Sequence, residues 1–248
     1  MSNDCNHSGN IQLIMNRGYL YGDGFFETIR VINGQIPLIN QHIDRIQEAI
    51  EIYKLFPTFR IDEAFIYSLK SSDSELIRIN FFRTGSGKYL AENNELAFDY
   101  TSEEYSTPFF LPITLDLNAE LEKSPKQIGT IGLYPEPKPN VKWLIVKSLS
   151  SIYYVLAADY KKHQNLDYLF IQNQDGHICE ELISNILVKK GEDLIIAKNI
   201  GGVNGVTQRY LSSNYGFQLK EENLNFDEII NSDAIYSLKG STGISRIK

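Results

Sequence analysis

The feature that most constrains this chain is its punctuation: short runs rich in β-branched and aromatic residues recur between turn signals along most of its length. FFETIRVI (25–32) is followed by Asn33-Gly34, a pair that favours the positive φ angles of a tight hairpin, and then by IPLI (36–39), read as the strand resuming. IRINFF (77–82) and ELAFDY (95–100) read as paired strands. Further on, IGTIGLY (128–134), YLFIQ (168–172), HIC (177–179), SNILV (184–188), DLIIA (193–197) and AIYSL (234–238) repeat the pattern, with turns at QDG, KKGE and the Pro-rich PEPKPN (135–140). So many short strands joined by hairpins predict a barrel-like antiparallel core in the second half.

Helical spacing enters at Ile43, Ile46, Ile50 and Tyr53, with Asn40 as N-cap and an end near Lys54. A shorter helix is read over Ile61 to Leu69, and further helices from about Leu149 to His163 and after Thr207. The first hundred residues thus read as a small α+β unit, and the polar, proline-bearing stretch after residue 100 as a linker. On this reading the boundaries are a small domain over 1–108, a linker over 109–127 and a larger domain over 128–248.

A formal net charge of −7 with no Lys/Arg-rich run speaks against nucleic acid and anionic membranes, both of which are bound through basic patches. A small molecule is the expected ligand. Cys5 and Cys179 stand alone, which leaves no disulfide framework or CxxC motif. His7, His42, His163 and His177 lack the spacing of a metal site, so each is read as a surface or packing residue and no metal is expected. The polar opening MSNDCNHSGN has no secretory pattern, and no apolar stretch nears the roughly 20 residues of a membrane span. A soluble cytoplasmic protein is the expectation.

Singly, each candidate functional residue reads as ordinary; the order of the motifs adds force. RGYLYGDGFFETIR (17–30), QHIDRI (41–46), VKSLS (146–150), DGHICEELISNILV (175–188) and GGVNGVTQR (201–209) together resemble the successive signatures of the class IV aminotransferases. That family includes branched-chain and D-amino-acid aminotransferases and aminodeoxychorismate lyase. The resemblance covers nearly the whole chain and implies the two-domain fold type IV: a small α/β sandwich beside a larger pseudo-barrel β domain with flanking helices. It also implies pyridoxal 5′-phosphate as cofactor, a small amino or keto acid as substrate, and a homodimer.

By the resemblance Lys147 carries the cofactor, with Lys142 as the nearest rival. A lysine amine becomes nucleophilic when desolvation or a neighbouring cation lowers its pKa, and the apolar residues on either side of Lys147 suit that. Glu180 matches the carboxylate that faces the pyridine nitrogen; Glu181 beside it is read as exposed on a hairpin. Val206 and Thr207, opening a helix after Gly205, match the phosphate cradle, assisted by Arg45 and the Gly240-Ser241 backbone. Where relatives carry arginine next, this chain has Gln208, with Arg209 following. Glu27, Arg30, Arg78 and Arg83 match segments that line the substrate site, and one arginine would hold a substrate carboxylate. The leading function is amino-group transfer. Lyase chemistry is the alternative, since RTGSGKY (83–89) and VNGV (203–206) are similar to aminodeoxychorismate lyase segments, while FFETIR keeps the glutamate common among transaminases. A fold retained as a binding module without turnover also stays open, on Gln208.

Overall fold

The computed structural model describes residues 16–198 and 200–248; Cys5, His7 and the polar N-terminal stretch lie outside the described residues. The first sheet is antiparallel, in the order β1 (Gly24–Ile32), β2 (Ser74–Arg83), β3 (Leu96–Glu104), preceded by a single helical turn α1 (Arg17–Tyr21). Its register pairs Glu27 with Ile79 and Phe81 with Phe98, as the paired-strand reading of 77–82 and 95–100 requires. Asn33 and Gly34 turn with φ of 48° and 76°, so the tight turn forms as expected, but it does not lead into a hairpin. IPLI, however, is not a strand: Pro37 has no N–H for a ladder, and Leu38 caps the next helix at φ 61°. The partner of β1 is β2, forty residues on.

Helix α2 (Ile39–Tyr53) begins one residue before Asn40, which lies in its first turn and does not cap it. Its buried stripe of His42, Arg45, Ile46, Ala49 and Ile50 follows the helical period and covers the sheet row Phe25, Ile29, Val31, Ile77, Ile79 and Phe81. A short α3 (Glu63–Ser68), capped by Asp62, closes the same core. Alternation along β1 puts Glu27 in that apolar row, while Phe26 and Thr28 face the other side of the sheet.

The stretch expected as linker holds a helical turn, α4 (Leu117–Leu121), whose two leucines are fully buried. Next come β4 (Ile131–Leu133), the long helix α5 (Ile152–His163), β5 (Tyr168–Gln172), β6 (Ile178–Glu181), β7 (Asn185–Lys190) and β8 (Asp193–Ala197). Helix α6 (Val206–Tyr215), β9 (Leu219–Glu222), α7 (Phe226–Ile230), β10 (Ala234–Lys239) and β11 (Gly243–Arg246) complete the chain. They form a five-stranded sheet, β11-β10-β7-β8-β9, and a three-stranded one, β4-β5-β6. The expected antiparallel pattern needs correction at two places: β4–β5 and β8–β9 pair parallel. Residues from both sheets share one apolar cluster around Phe170, Ile186, Val188 and Ile235. Among the described residues no helix is long and apolar enough to cross a membrane.

Candidate active site

Lys147 lies where an irregular segment is stitched to the start of β1. Phe26 N donates to Lys147 O at 2.7 Å, and Leu149 N to Gly24 O at 3.0 Å. Val146 before it is buried in the first core, and the Ser148 hydroxyl after it lies 2.6 Å from Tyr53 Oη. Lys147 is thereby held beside Phe26, its Nζ 4.7 Å from the ring centroid. Burial pulls the amine down to about 8, helped by the charges of Arg45 and Arg78 and opposed by Glu27 and Glu180. The same four groups that sequence placed around the site therefore act on this amine. Lys142, the rival, is exposed in a 3-10 turn.

Phe26 carries a second cation: the Arg78 guanidinium stacks on it at 3.7 Å. Arg78 Nε donates to Asn80 Oδ1 at 3.0 Å, and Asn80 Nδ2 to Asp99 at 2.7 Å. The other candidate substrate contacts are committed elsewhere. Arg30 is buried and donates to the carbonyls of Glu75, Tyr105 and Thr107. Arg83 bonds Asp23, Asn94 and the Tyr53 carbonyl. Glu27 is almost fully buried and bonds His42 Nδ1 at 2.9 Å, Arg45 Nε at 2.9 Å and Arg45 Nη2. Burial alone would raise the Glu27 pKa; the Arg45 charge and the His42 bond outweigh it and hold the carboxylate well below its ordinary range. A cavity of about 440 Å³, lined among others by Arg17, Asp23, Tyr53, Arg83, Trp143 and Ser150, adjoins the Lys147 segment but includes none of the other expected residues.

Glu180 sits on β6, 3 % exposed. Its Oε1 accepts from Lys138 Nζ at 2.8 Å and Tyr154 Oη at 2.7 Å, its Oε2 from Val203 N at 2.8 Å. Lys138 was not singled out from sequence. PEPKPN reads in sequence as a Pro-rich turn, yet Lys138 N donates to Gln172 O at 2.8 Å, and the Lys138 side chain lies fully in the interior. Tyr154 was also missed; it is on the buried side of α5. Glu181, expected to be exposed, is 2 % exposed and is held by Ile183 N and Ser184 Oγ, each at 3.0 Å. Alternation does put the two glutamates on opposite faces, but the protein covers both.

The phosphate cradle can be tested against the groups that line it. Gly205 caps the ten-residue helix α6 with no side-chain bond, leaving the first N–H groups for an anion. Gly205 is demanded by close approach: a Cβ there would lie 1.9 Å from Asn185 Oδ1. Thr207 Oγ1 is buried without a hydrogen-bond partner, and Ser241 and Arg45, also expected at the phosphate, are buried. At Gly240 a Cβ would press to 3.0 Å from Val206 Cγ2, which brings the turn before β11 against the start of α6. A buried hydroxyl lacking a partner, an uncapped helix start and a buried guanidinium fit a phosphate. Gln208 is buried with Oε1 unpartnered, and Arg209 pairs with Glu48 on α2, so the displaced arginine ties α6 to α2. Among the described residues no cluster suits a metal ion.

Comparison with known proteins accords with this geometry. The chain is 28% identical over 234 residues to a D-alanine aminotransferase of Bacillus licheniformis, covering 90% of this chain and 77% of that protein. A branched-chain aminotransferase of Thermoproteus uzoniensis shares the fold at TM-score 0.76 and 14% identity, over 94% of this chain and 80% of that one. The 4-amino-4-deoxychorismate lyase of Pseudomonas aeruginosa does so at TM-score 0.71 and 18% identity, over 95% and 86%. The family model for amino-transferase class IV matches residues 24–248. The chain therefore belongs to the class IV aminotransferases, and it is a pyridoxal-phosphate-dependent enzyme of the transaminase or related lyase type.

Proposed function

We propose that this enzyme moves the amino group of a small amino acid to a keto acid, with Lys147 as the catalytic amine and Arg78 holding the substrate carboxylate. The observation that carries the reading is the pair of cations on one ring, Lys147 at 4.7 Å and Arg78 at 3.7 Å from the Phe26 centroid. A carboxylate bound by the Arg78 fork would leave its Cα beside Lys147. Arg30, Arg83 and Glu27, each spent on protein partners, act as supports of the site.

Bound there, pyridoxal phosphate supplies the sink for the electron pair left at the substrate Cα when its proton departs. Lys147 Nζ, with its pKa near 8, is neutral often enough to accept that proton and to give it back. Glu180 would hold the ring nitrogen of the cofactor, through Oε2, which accepts only Val203 N and retains an unused lone pair. Val206, Thr207, Gly240, Ser241 and Arg45 would hold the phosphate. The small and larger domains, joined by 109–127, would enclose the site between them. Exposed Tyr19, Leu20, Trp143, Ile152, Val155 and Leu156 are the apolar surface that a cytoplasmic homodimer would cover.

The purified enzyme should show a visible cofactor band that shifts on adding an amino acid, and borohydride should fix the label on Lys147. A label on Lys138 or Lys142, or turnover by Lys147→Ala, would overturn the assignment. The lyase reading is supported by the segments at 83–89 and 203–206. Pyruvate release without any keto-acid acceptor would select it.

A further inference from the structure

His42 is completely buried on the stripe of α2 that carries Arg45, and its two ring nitrogens are treated unequally. Nδ1 faces Glu27 Oε1 at 2.9 Å; Nε2 is buried with no hydrogen-bond partner. A buried polar atom without a partner is costly and calls for an explanation. One atom of the ring marks what the imidazole packs against. Cε1, which lies between the two nitrogens, comes within 3.7 Å of where a Cβ on Gly240 would be, and that same point is 3.0 Å from Val206 Cγ2. His42 thus looks onto the seam between the start of α6 and the turn before β11, where Thr207 Oγ1 is likewise buried and unpartnered. Two orphaned groups, with Arg45 one helical turn after His42 and fastened to the same Glu27, thus stand on elements that meet at one seam.

We propose that His42 is a further ligand of the cofactor phosphate, through Nε2, and that Glu27 is the residue that positions both His42 and Arg45 for it. The inference rests on the placement of the phosphate at Val206-Thr207. The Glu27 carboxylate fixes the imidazole plane by holding Nδ1, so the opposite nitrogen is aimed rather than free to swing. The same carboxylate occupies Nε and Nη2 of Arg45, leaving Nη1 for the anion. A phosphate in the seam would give Nε2 and Thr207 Oγ1 the partners that the protein does not.

Two substitutions separate the nitrogens. His42→Asn keeps a polar atom near Nδ1 for Glu27 and loses Nε2; His42→Gln keeps one near Nε2 and loses the Glu27 contact. Affinities of the apoprotein for pyridoxal phosphate and for pyridoxal, which lacks the phosphate, are measured by fluorescence or absorbance titration. His42→Asn should weaken pyridoxal phosphate by about 10- to 100-fold, the range of a charge-assisted hydrogen bond, and pyridoxal by less than about threefold. His42→Gln should stay closer to wild type for pyridoxal phosphate. Equal losses for both ligands in His42→Asn, or no loss for either, would overturn the proposal. Should the variants fail to fold, the wild-type apoprotein decides: the ¹⁵N resonance of His42 Nε2 should move on saturation with pyridoxal phosphate, and an unmoved Nε2 signal refutes the contact. If instead pyridoxal phosphate binds with its phosphate away from α6, Thr207→Val leaves affinity unchanged, and it is the placement of the phosphate that fails.

Discussion

Glu27 and Glu180 are both buried carboxylates paired with a buried cation, yet they are spent differently. Glu27 takes four donors, from Thr28 N, His42 and two nitrogens of Arg45, three of them crowded on Oε1 and one on Oε2. Glu180 takes three, from Lys138, Tyr154 and Val203 N. The first binds two side chains of a single helix, His42 and Arg45, and on our proposal aims them. The second keeps an acceptor site for a ligand. Burial is common to both, so what separates the two carboxylates is which groups each one holds.

That contrast can be broken most directly by activity. Glu180→Ala should lower kcat at saturating cofactor by roughly 10²- to 10³-fold, the scale of losing one preorganised electrostatic contact, while Glu27→Gln should keep kcat within about tenfold and weaken cofactor binding instead. Steady-state kinetics across a cofactor titration separates the two, and a reversed pattern defeats the comparison.

Next in size is stability. Glu27→Gln leaves Arg45 and His42 buried without their anion, and Lys138→Met does the converse to Glu180; each should cost about 3–5 kcal/mol in denaturant unfolding of the apoprotein. Restoring balance with Lys138→Met/Glu180→Gln should recover part of the loss, because no buried charge is then left unpaired. The sign with pH follows from the lowered Glu27 pKa: its contribution is present above the unfolded carboxylate range and is lost only as pH falls through the lower folded value. The gap between wild type and Glu27→Gln should hold steady from pH 8 down to about 5 and close in stronger acid.

The smallest effect sharpens the role of the outer sheet face. Labelling of Lys147 in the apoprotein by an amine reagent should rise through a midpoint at about 8. Arg78 helps to lower that value, so Arg78→Leu should move the midpoint upward and reduce labelling at pH 8. A midpoint that does not move would detach Arg78 from Lys147.

Much of the strand and helix pattern was legible because it depends on local period and turn chemistry. The Asn33-Gly34 turn, the β2–β3 pairing and the stripe of α2 are all of this kind. The strand expected at IPLI was lost because Pro37 and Leu38 lead into a helix and the real partner of β1 comes much later in the chain. Glu27 and His42 were half legible: both occupy apolar periods, Glu27 between Phe25 and Ile29, His42 one turn before Ile46, and a charged residue in such a row must find a buried partner. Lys138 offered no such hint, since nothing between two prolines tells that a backbone bridge to Asn173 will carry the lysine inside.

The chain by itself determined its family and its cofactor, because motif order is written in side-chain chemistry. Tertiary structure alone decided which charges are available. Arg30, Arg83 and Glu27 are consumed by backbone and neighbours from distant segments, Arg78 stays over Phe26, and Glu180 is backed by Lys138. A charged group's role depends on the partners that burial brings to it, and those come from contacts across the fold that no local pattern contains.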